Sequence, residues 1–389
     1  MLVICLAATA FVLTTTFLPG NLANEAGVAS ELLSPPDSLY EWRINREPPF
    51  NARVLFKVIV QSTYYALTDT PDPGLFFNVY KAWTGIFYIT TVALFFIFLR
   101  FTGLEVRWAA AGCILLFFSP PFLVAWSLPV HTREDFLGYT ILLLGMIATL
   151  RKKPLLVMIL TIAGFLCRET LMILPLFYFF YSVGERAWIR FGLPAVTGIL
   201  YLAYRSTTSI AKYDASLGLR WNLDNPDQVA GFLFLSFGFV WILYIYGVFS
   251  NRKKLLTRST DFEKVLFMSP FALGLILLTT FLGGIMNEIR LIFLAFPWII
   301  TVAAHTLRNM KEDLAALLQK PLFVTFCVLV LVIGAISSYY MANNIFKFIP
   351  PSRYNIPFDL WVVVTISHLS VSLLLVPVCW RNFNNNKAV

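Results

Sequence analysis

The feature that most constrains this chain is the adjacent pair Arg168-Glu169 inside an apolar run. From Pro154 to Val183 these two are the only charged residues. A charged side chain at the centre of a bilayer costs about 2.5–3.5 kcal/mol on insertion scales, so an uncompensated pair is not expected to face lipid. The pair is therefore predicted to face protein, water or a substrate.

Two geometries are open for this run: one long helix with the pair at its centre, or two short helices that meet at Cys167–Thr170. Basic residues flank the run on both sides, at Arg151, Lys152, Lys153, Arg186 and Arg190. Short cytoplasmic loops carry the excess of Lys and Arg in membrane proteins. Both ends are therefore predicted inside, with Arg168-Glu169 at the outward turn of a re-entering pair of helices. Each of these helices is shorter than the ~20 residues that a full span needs.

The composition indicates an all-α polytopic membrane protein. The 389 residues are 58% hydrophobic and 13% charged, whereas a soluble domain has about 25% charged residues. The net charge of +9 does not indicate nucleic-acid binding, because no basic cluster alternates with aromatic residues in a soluble segment. The five cysteines lie in or beside apolar runs without CxxC spacing, which predicts packing residues and neither disulfides nor metal ligands.

We predict about 12 membrane-embedded helices, including the re-entering pair, in a single transmembrane domain over 1–389 with both termini inside. The first span, 2–18, is interpreted as retained, with a cleaved signal peptide as the alternative. The other spans are predicted at 83–101, 108–130, 136–150, 154–183 (the pair), 191–204, 229–250, 265–285, 291–305, 321–341 and 359–380. The pair is predicted to be the one clear broken element, and Pro120-Pro121 is predicted to kink the span 108–130.

Two outer loops are predicted to be long, 19–82 and 205–228. The first carries an interfacial helix at 53–68, where Arg53, Lys57 and Gln61 recur at intervals of four residues. The basic side chains of this stripe are predicted to snorkel toward lipid headgroups.

On this topology the unusual charged residues gather at the outer face. They are His131, Arg133, Glu134, Asp135, Arg168, Glu169, Glu288 and Arg290. Adjacent residues on a helix point about 100° apart, so Arg168 and Glu169 are expected to find partners elsewhere. Arginine binds phosphate with a planar fork, and a carboxylate can act as a general base or hold a divalent cation. The pattern predicts a site for a lipid-linked anionic substrate, with phosphate as the leaving group of a sugar transfer.

In layout the chain resembles the GT-C superfamily, the polytopic glycosyltransferases that use polyprenyl-phosphate sugars. The resemblance rests on the long first outer loop with its interfacial helix, on acidic residues soon after the first span, and on Cys167-Arg168-Glu169-Thr170 between two short helices. By position, Glu25 in Asn24-Glu25-Ala26 is similar to the family's first-loop catalytic acid, and Glu134-Asp135 to its second acidic element. The family often has an acidic doublet where this chain has Glu25 alone.

The resemblance implies transfer of a sugar from a polyprenyl-phosphate donor to a glycan or lipid acceptor at the outer face of a bacterial inner membrane. The implied catalytic residues are Glu25, Glu134 and Asp135. The phosphate would be bound by His131, Arg133, Arg168 and Arg290, supported by Glu169 and Glu288. The cofactor that these carboxylates would suit is Mg²⁺ or Mn²⁺.

Three alternatives stay open. An O-antigen-type polymerase or ligase also has outward arginines, but usually in one large late outer loop, whereas here the long loop comes first. A transporter or flippase is the non-enzymatic alternative, and transporters favour broken helices at matching positions of two halves. The third alternative is that Arg168-Glu169 belongs to a structural network of ion pairs that holds the two short helices together.

Overall fold

A computed structural model gives the structure of the protein. It describes residues 53–68, 70, 72–124, 135–182, 185–207, 215–255, 259–284, 289–321, 324–325, 328–329 and 358–385. Within these ranges all regular structure is helical, so the predicted all-α class is confirmed there.

The helices are numbered in chain order. They are α1 (Leu55–Leu67), α2 (Pro73–Phe101), α3 (Val106–Phe118), α4 (Pro120–Val124), α5 (Asp135–Leu150), α6 (Pro154–Phe165), α7 (Ile173–Tyr181), α8 (Ala187–Ser206), α9 (Ala215–Asp224), α10 (Pro226–Leu235), α11 (Val240–Ser250), α12 (Asp261–Gly283), α13 (Ile289–Phe293), α14 (Phe296–Asn309), α15 (Lys311–Leu318) and α16 (Phe358–Asn385). Two short 3₁₀ helices, Glu169–Met172 and Arg252–Leu255, complete the set.

The chain forms two compact units, 1–101 with 125–214 and 102–124 with 215–389. In the first unit α5 is the central helix, because α2, α6 and α7 all pack against it. Its side chains are buried on nearly every face, as expected for a helix that is apolar all round. The buried Thr91 hydroxyl of α2 donates to the Phe136 carbonyl of α5 at 3.1 Å, which fixes the register of these two helices.

The run from Pro154 to Val183 forms two short helices, as predicted. The break lies between Phe165, the last residue of α6, and Ile173, the first of α7. Lys152 Nζ lies 3.4 Å from Glu185 Oε1, so the far ends of the two helices return to the same side. A 12-residue helix is about 18 Å long, well short of the ~30 Å hydrocarbon core. The two short helices therefore form a hairpin, as the predicted geometry requires, while its re-entry into a membrane and the side that it faces stay predictions.

Glycines allow α6 to pack closely against the first 3₁₀ helix and α5 to pack closely against α7. A Cβ added at Gly164 would lie 2.9 Å from Leu171 Cβ, and one added at Gly145 of α5 would lie 2.6 Å from Leu174 Cδ2. Both distances are too short for real contacts, so an added side chain would require Leu171 to shift with its backbone at Gly164 and the Leu174 side chain to move at Gly145.

In the second unit α14 is the most buried helix. Trp298 on α14 is fully buried, and α3, α11 and α12 pack around this helix. The predicted span 229–250 is here two helices, α10 and α11, that meet at 80°. Gly238 at the bend has φ +56°, a conformation that suits glycine. The prediction of only one broken element is therefore wrong, because a break made by glycine in an apolar run carries no charge to reveal it.

Two predicted boundaries also change. The span predicted at 83–101 is the helix α2, which begins at Pro73 and so takes residues from the predicted first loop 19–82. Proline suits the first helical turn, and the Asp72 carboxylate accepts hydrogen bonds from Gly74 N–H at 2.8 Å and Leu75 N–H at 3.1 Å. In the predicted loop 205–228, residues 215–224 form the helix α9.

Among the described residues, α2, α8 and α12 are long and apolar enough to cross a membrane, and the bent pair α10–α11 counts as a fourth. Several shorter apolar helices accompany them. These helices indicate an integral membrane protein. The count of twelve and the inside position of the termini stay predictions, and the predicted spans 2–18 and most of 321–341 lie outside the described residues.

Candidate ionic site at the helix break

The centre of the candidate site is Arg168, which has an extended backbone between α6 and the first 3₁₀ helix. Its Nη2 lies 2.6 Å from Oδ1 of Asp135, the first residue of α5, and the two side chains are only 2% and 6% exposed. Burying either charge alone would cost several kcal/mol, so each requires the other. Two residues predicted for the site from separate segments are thus brought together.

Glu169 turns to other partners. Its Oε2 accepts hydrogen bonds from Arg53 Nε at 3.3 Å and Arg53 Nη2 at 3.2 Å. Its Oε1 lies 3.6 Å from Nη1 of Arg205, in the last turn of α8. The expectation that Arg168 and Glu169 pair elsewhere is confirmed, since each binds residues from distant segments.

Helix α1 starts directly at the break. The Leu55 N–H donates to the Leu166 carbonyl at 3.1 Å. Lys57 is buried together with Phe56, Val60 and Tyr64 of α1. A helix therefore exists at nearly the predicted bounds, and one of its faces packs against protein, while its position at a membrane interface stays a prediction.

The predicted snorkelling of Arg53 and Lys57 is wrong. The Arg53 side chain is 11% exposed and hydrogen-bonded to Glu169, and Lys57 is 4% exposed. Helical spacing shows that these side chains share a face, but it does not show whether that face meets lipid headgroups or protein. Glu169 supplies the compensation that makes the buried position of Arg53 favourable.

The five charged residues of this ionic cluster, Arg53, Asp135, Arg168, Glu169 and Arg205, carry one net positive charge. Exposure rises across the cluster, from 2% for the Arg168 side chain through 20% for that of Glu169 to 26% for that of Arg205. The cluster therefore has a closed end at Arg168–Asp135 and an open end at Glu169–Arg205. Arg205 is the most exposed side chain of the cluster.

Aromatic packing fixes the part of α8 that carries Arg205. The ring of Phe165, the last residue of α6, lies 5.8 Å from that of Tyr201 and 5.6 Å from that of Tyr204. Such pairs contribute about 0.5–1.5 kcal/mol beyond their buried area. The end of α8 is thereby held against the helix break, which places Arg205 within reach of Glu169.

The structure brings together only some of the predicted site residues. Asp135, Arg168 and Glu169 lie in the cluster. Arg290 lies in α13 of the second unit, with its side chain outside the described residues. The other predicted residues, which lie outside the described ranges, are Glu25, His131, Arg133, Glu134 and Glu288.

Sequence reasoning missed Arg53 and Arg205 as members of the site. The signal for them was only indirect, because each is a cation at the end of a predicted helix. Glu169 in an apolar run needed cationic partners, and both arginines are near predicted membrane boundaries.

No metal site is seen in the described part of the chain, where no three His, Cys, Asp or Glu residues lie close enough to share an ion. A role for Mg²⁺ or Mn²⁺ stays a prediction. Cys113, Cys167 and Cys379 are buried and form no disulfide in the structure.

Comparisons with known proteins do not show a family for this chain. No protein-family model matches it, and searches of curated proteins and of solved structures find no match either. Function is therefore inferred from the ionic cluster and from the membrane helices around it.

Proposed function

We propose that the protein is an integral membrane glycosyltransferase that moves a sugar from a polyprenyl-phosphate donor to a glycan or lipid acceptor at the outer face of the membrane. The single observation that supports this best is the convergence of charged side chains from four distant segments at the break of a re-entering helix pair. Arg53 and Arg205 come from outside the two short helices, so the cluster joins more than that pair. A five-residue cluster with excess positive charge and an open arginine end suits an anionic substrate.

In this proposal Arg205 and Arg53 contact the donor phosphate. Glu169 holds both arginines in place, as carboxylates commonly orient arginine through charge-assisted hydrogen bonds. Arg168 takes a different role from the one that the sequence suggested. Because its side chain is 2% exposed and lies against Asp135, Arg168 fixes the geometry of the cluster at its buried end.

Sugar transfer requires the protein to stabilise charge on the leaving phosphate and to accept a proton from the acceptor hydroxyl. The bond between the anomeric carbon and the phosphate oxygen breaks as the acceptor oxygen bonds to that carbon, and the arginines stabilise the charge that develops on the phosphate. The proton of the acceptor hydroxyl passes to a carboxylate acting as general base. We propose Glu25 or Glu134 for this base, since Asp135 is buried against Arg168.

The proposal is tested with purified protein in lipid vesicles and a panel of synthetic polyprenyl-phosphate sugars, with release of polyprenyl phosphate as the readout. Arg205→Gln and Arg53→Gln are each expected to lower kcat/KM about 10- to 100-fold, because a hydrogen bond to a charged group contributes roughly 1.5–3 kcal/mol. Arg107→Gln is the matched control, since Arg107 pairs with Glu105 on an exposed surface. Wild-type rates in both cluster variants would contradict the assigned roles.

A transporter or flippase of lipid-linked substrates is the second candidate, and one observation favours it. Among the described residues each unit contains a broken helix element, 154–181 in the first and α10–α11 in the second, and transporters place broken helices in both halves. Movement of a labelled polyprenyl-phosphate sugar across the vesicle membrane, without a covalent product, would support this candidate over the enzyme.

A further inference from the structure

An apolar groove of about 280 Å³ lies between α11 and α12 in the second unit. From α11 it is lined by Tyr244, Ile245, Val248 and Phe249, and from α12 by Pro270, Leu273, Gly274 and Leu277. Ile245 and Phe249 are 49% and 58% exposed, so the groove is open along its side.

The sequence of α12 explains why the groove exists. Pro270 cannot donate to the carbonyl one turn earlier, and the Ser269 hydroxyl donates to that Leu266 carbonyl at 2.9 Å instead. The Tyr244 hydroxyl bridges to the Ser269 oxygen at 3.3 Å, which ties the two helices together at this level. One turn further on, Gly274 has no side chain, and a Cβ placed there would have no neighbour within 4 Å.

Exposed basic residues stand at one end of the groove. Arg252, Lys253 and Lys254 form a 3₁₀ helix that starts three residues after Phe249 and contacts α12. The acids at the start of α12 are already engaged, Asp261 with Lys264 at 3.6 Å and Glu263 in a capping box with Thr260. Among these described residues the basic end keeps a net positive charge.

We propose that this groove and its basic end bind one anionic phospholipid, with an acyl chain in the groove and the headgroup phosphate on Arg252 and Lys253. The groove lines a helix that is long and apolar enough to cross a membrane, so the surrounding solvent is hydrocarbon and a chain fills the open space. Basic sites between helices at a membrane surface recognise anionic headgroups. The site does not depend on sugar transfer.

The test is lipid binding to the full chain in detergent, measured by native mass spectrometry. Phosphatidylglycerol and phosphatidylcholine with identical acyl chains are the probes. The wild type is expected to bind the anionic lipid at least fivefold more tightly. Arg252→Gln with Lys253→Gln should remove that preference, since each basic residue near a membrane surface contributes about a factor of five.

Gly274→Leu fills the groove and is expected to weaken binding of both lipids at least fivefold. Gly198→Leu is the matched control, because Gly198 of α8 is also an interior helix glycine with nothing within 4 Å of an added Cβ. Unchanged binding in Gly274→Leu, or an anionic preference that survives the double charge change, would overturn the proposal. Binding of polyprenyl phosphate without binding of phosphatidylglycerol would overturn the identity of the occupant.

Discussion

Arg168 and Asp135 form an ion pair that is almost wholly buried, with Nη2 2.6 Å from Oδ1. Removing one partner of such a pair leaves an uncompensated buried charge, which typically costs about 3–5 kcal/mol. Replacing both partners by apolar residues of similar size is often close to neutral. The pair therefore makes α5 and the helix break depend on each other.

Asp135→Asn is expected to lower the unfolding free energy by about 3–5 kcal/mol because it leaves the Arg168 charge buried. The unfolding free energy of the double variant Asp135→Leu with Arg168→Met should be closer to that of the wild type than that of the single variant is. Thermal unfolding in detergent, followed by tryptophan fluorescence, measures both. Glu105→Gln, which removes an exposed ion pair, is the control and should leave the melting temperature unchanged. A double variant whose destabilisation equals the sum of the two single changes would contradict the coupling of Asp135 with Arg168.

Glu169→Gln is expected to loosen α1, because the carboxylate charge that holds Arg53 against the break is lost. The amide protons of Leu55–Leu67 should then exchange with solvent faster than in the wild type, which hydrogen-exchange mass spectrometry measures. Arg53→Gln should act in the same direction, and more strongly than Arg205→Gln, since Arg53 makes two hydrogen bonds to Glu169. Unchanged exchange in α1 would show that other contacts dock this helix.

Gly164→Ala is expected to destabilise the protein by about 1–3 kcal/mol through overpacking. Its new methyl would lie 2.9 Å from Leu171 Cβ, an atom that cannot rotate away. Gly138→Ala is the matched comparison, because its methyl would meet neighbours only at 3.7 Å and beyond, including the Arg168 side chain. Equal melting temperatures for the two variants would argue against the close approach of α6 to the first 3₁₀ helix.

Gly238→Ala is expected to disturb the bend between α10 and α11 for two reasons. The backbone has φ +56°, and the new methyl would collide with the His368 ring. His368 also accepts a hydrogen bond from the Phe239 N–H at 3.3 Å. Adding His368→Ala should relieve the collision and leave the strain of about 1–2 kcal/mol from the left-handed backbone, so the double variant should melt above Gly238→Ala.

Membrane sidedness is tested with single cysteines in a cysteine-free background. Lys153 and Ser206 are both exposed. On the predicted topology Lys153 lies in an inner loop and Ser206 lies at the start of the outer loop 205–228. A membrane-impermeant maleimide should label Ser206→Cys in intact cells and Lys153→Cys only after permeabilisation. The reverse pattern would place the ionic cluster on the inner face and contradict outward sugar transfer.

The helix break at Arg168 could be predicted because two charges in an apolar run are too costly to face lipid. Their partners could not be predicted in the same way. Arg53 lies on a helix whose spacing fits a lipid surface and a protein surface equally well. Arg205 looked like an ordinary cation at the end of a span, and only the aromatic packing of α8 on Phe165 shows why it reaches Glu169.

The bend between α10 and α11 could not be predicted because it involves the backbone conformation of Gly238 and a contact with the ring of His368. The stretch 229–250 carries no charged residue, and the glycines in it are compatible with a continuous helix. The His368 ring that lies against Gly238 comes from α16, far along the sequence. Such a contact belongs to the tertiary structure and leaves no periodic pattern behind.

The backbone hydrogen bond from Leu55 to Leu166 limits when α1 can dock during synthesis of the chain. Each group is a backbone polar group at a helix end, where intrahelical partners are lacking. The neighbouring contact of Arg53 with Glu169 joins residues 116 positions apart. On the ribosome α1 is synthesised long before the re-entering pair exists, so its final docking has to wait for that later hairpin, and a chain arrested between the two would leave Arg53 without its counter-ion.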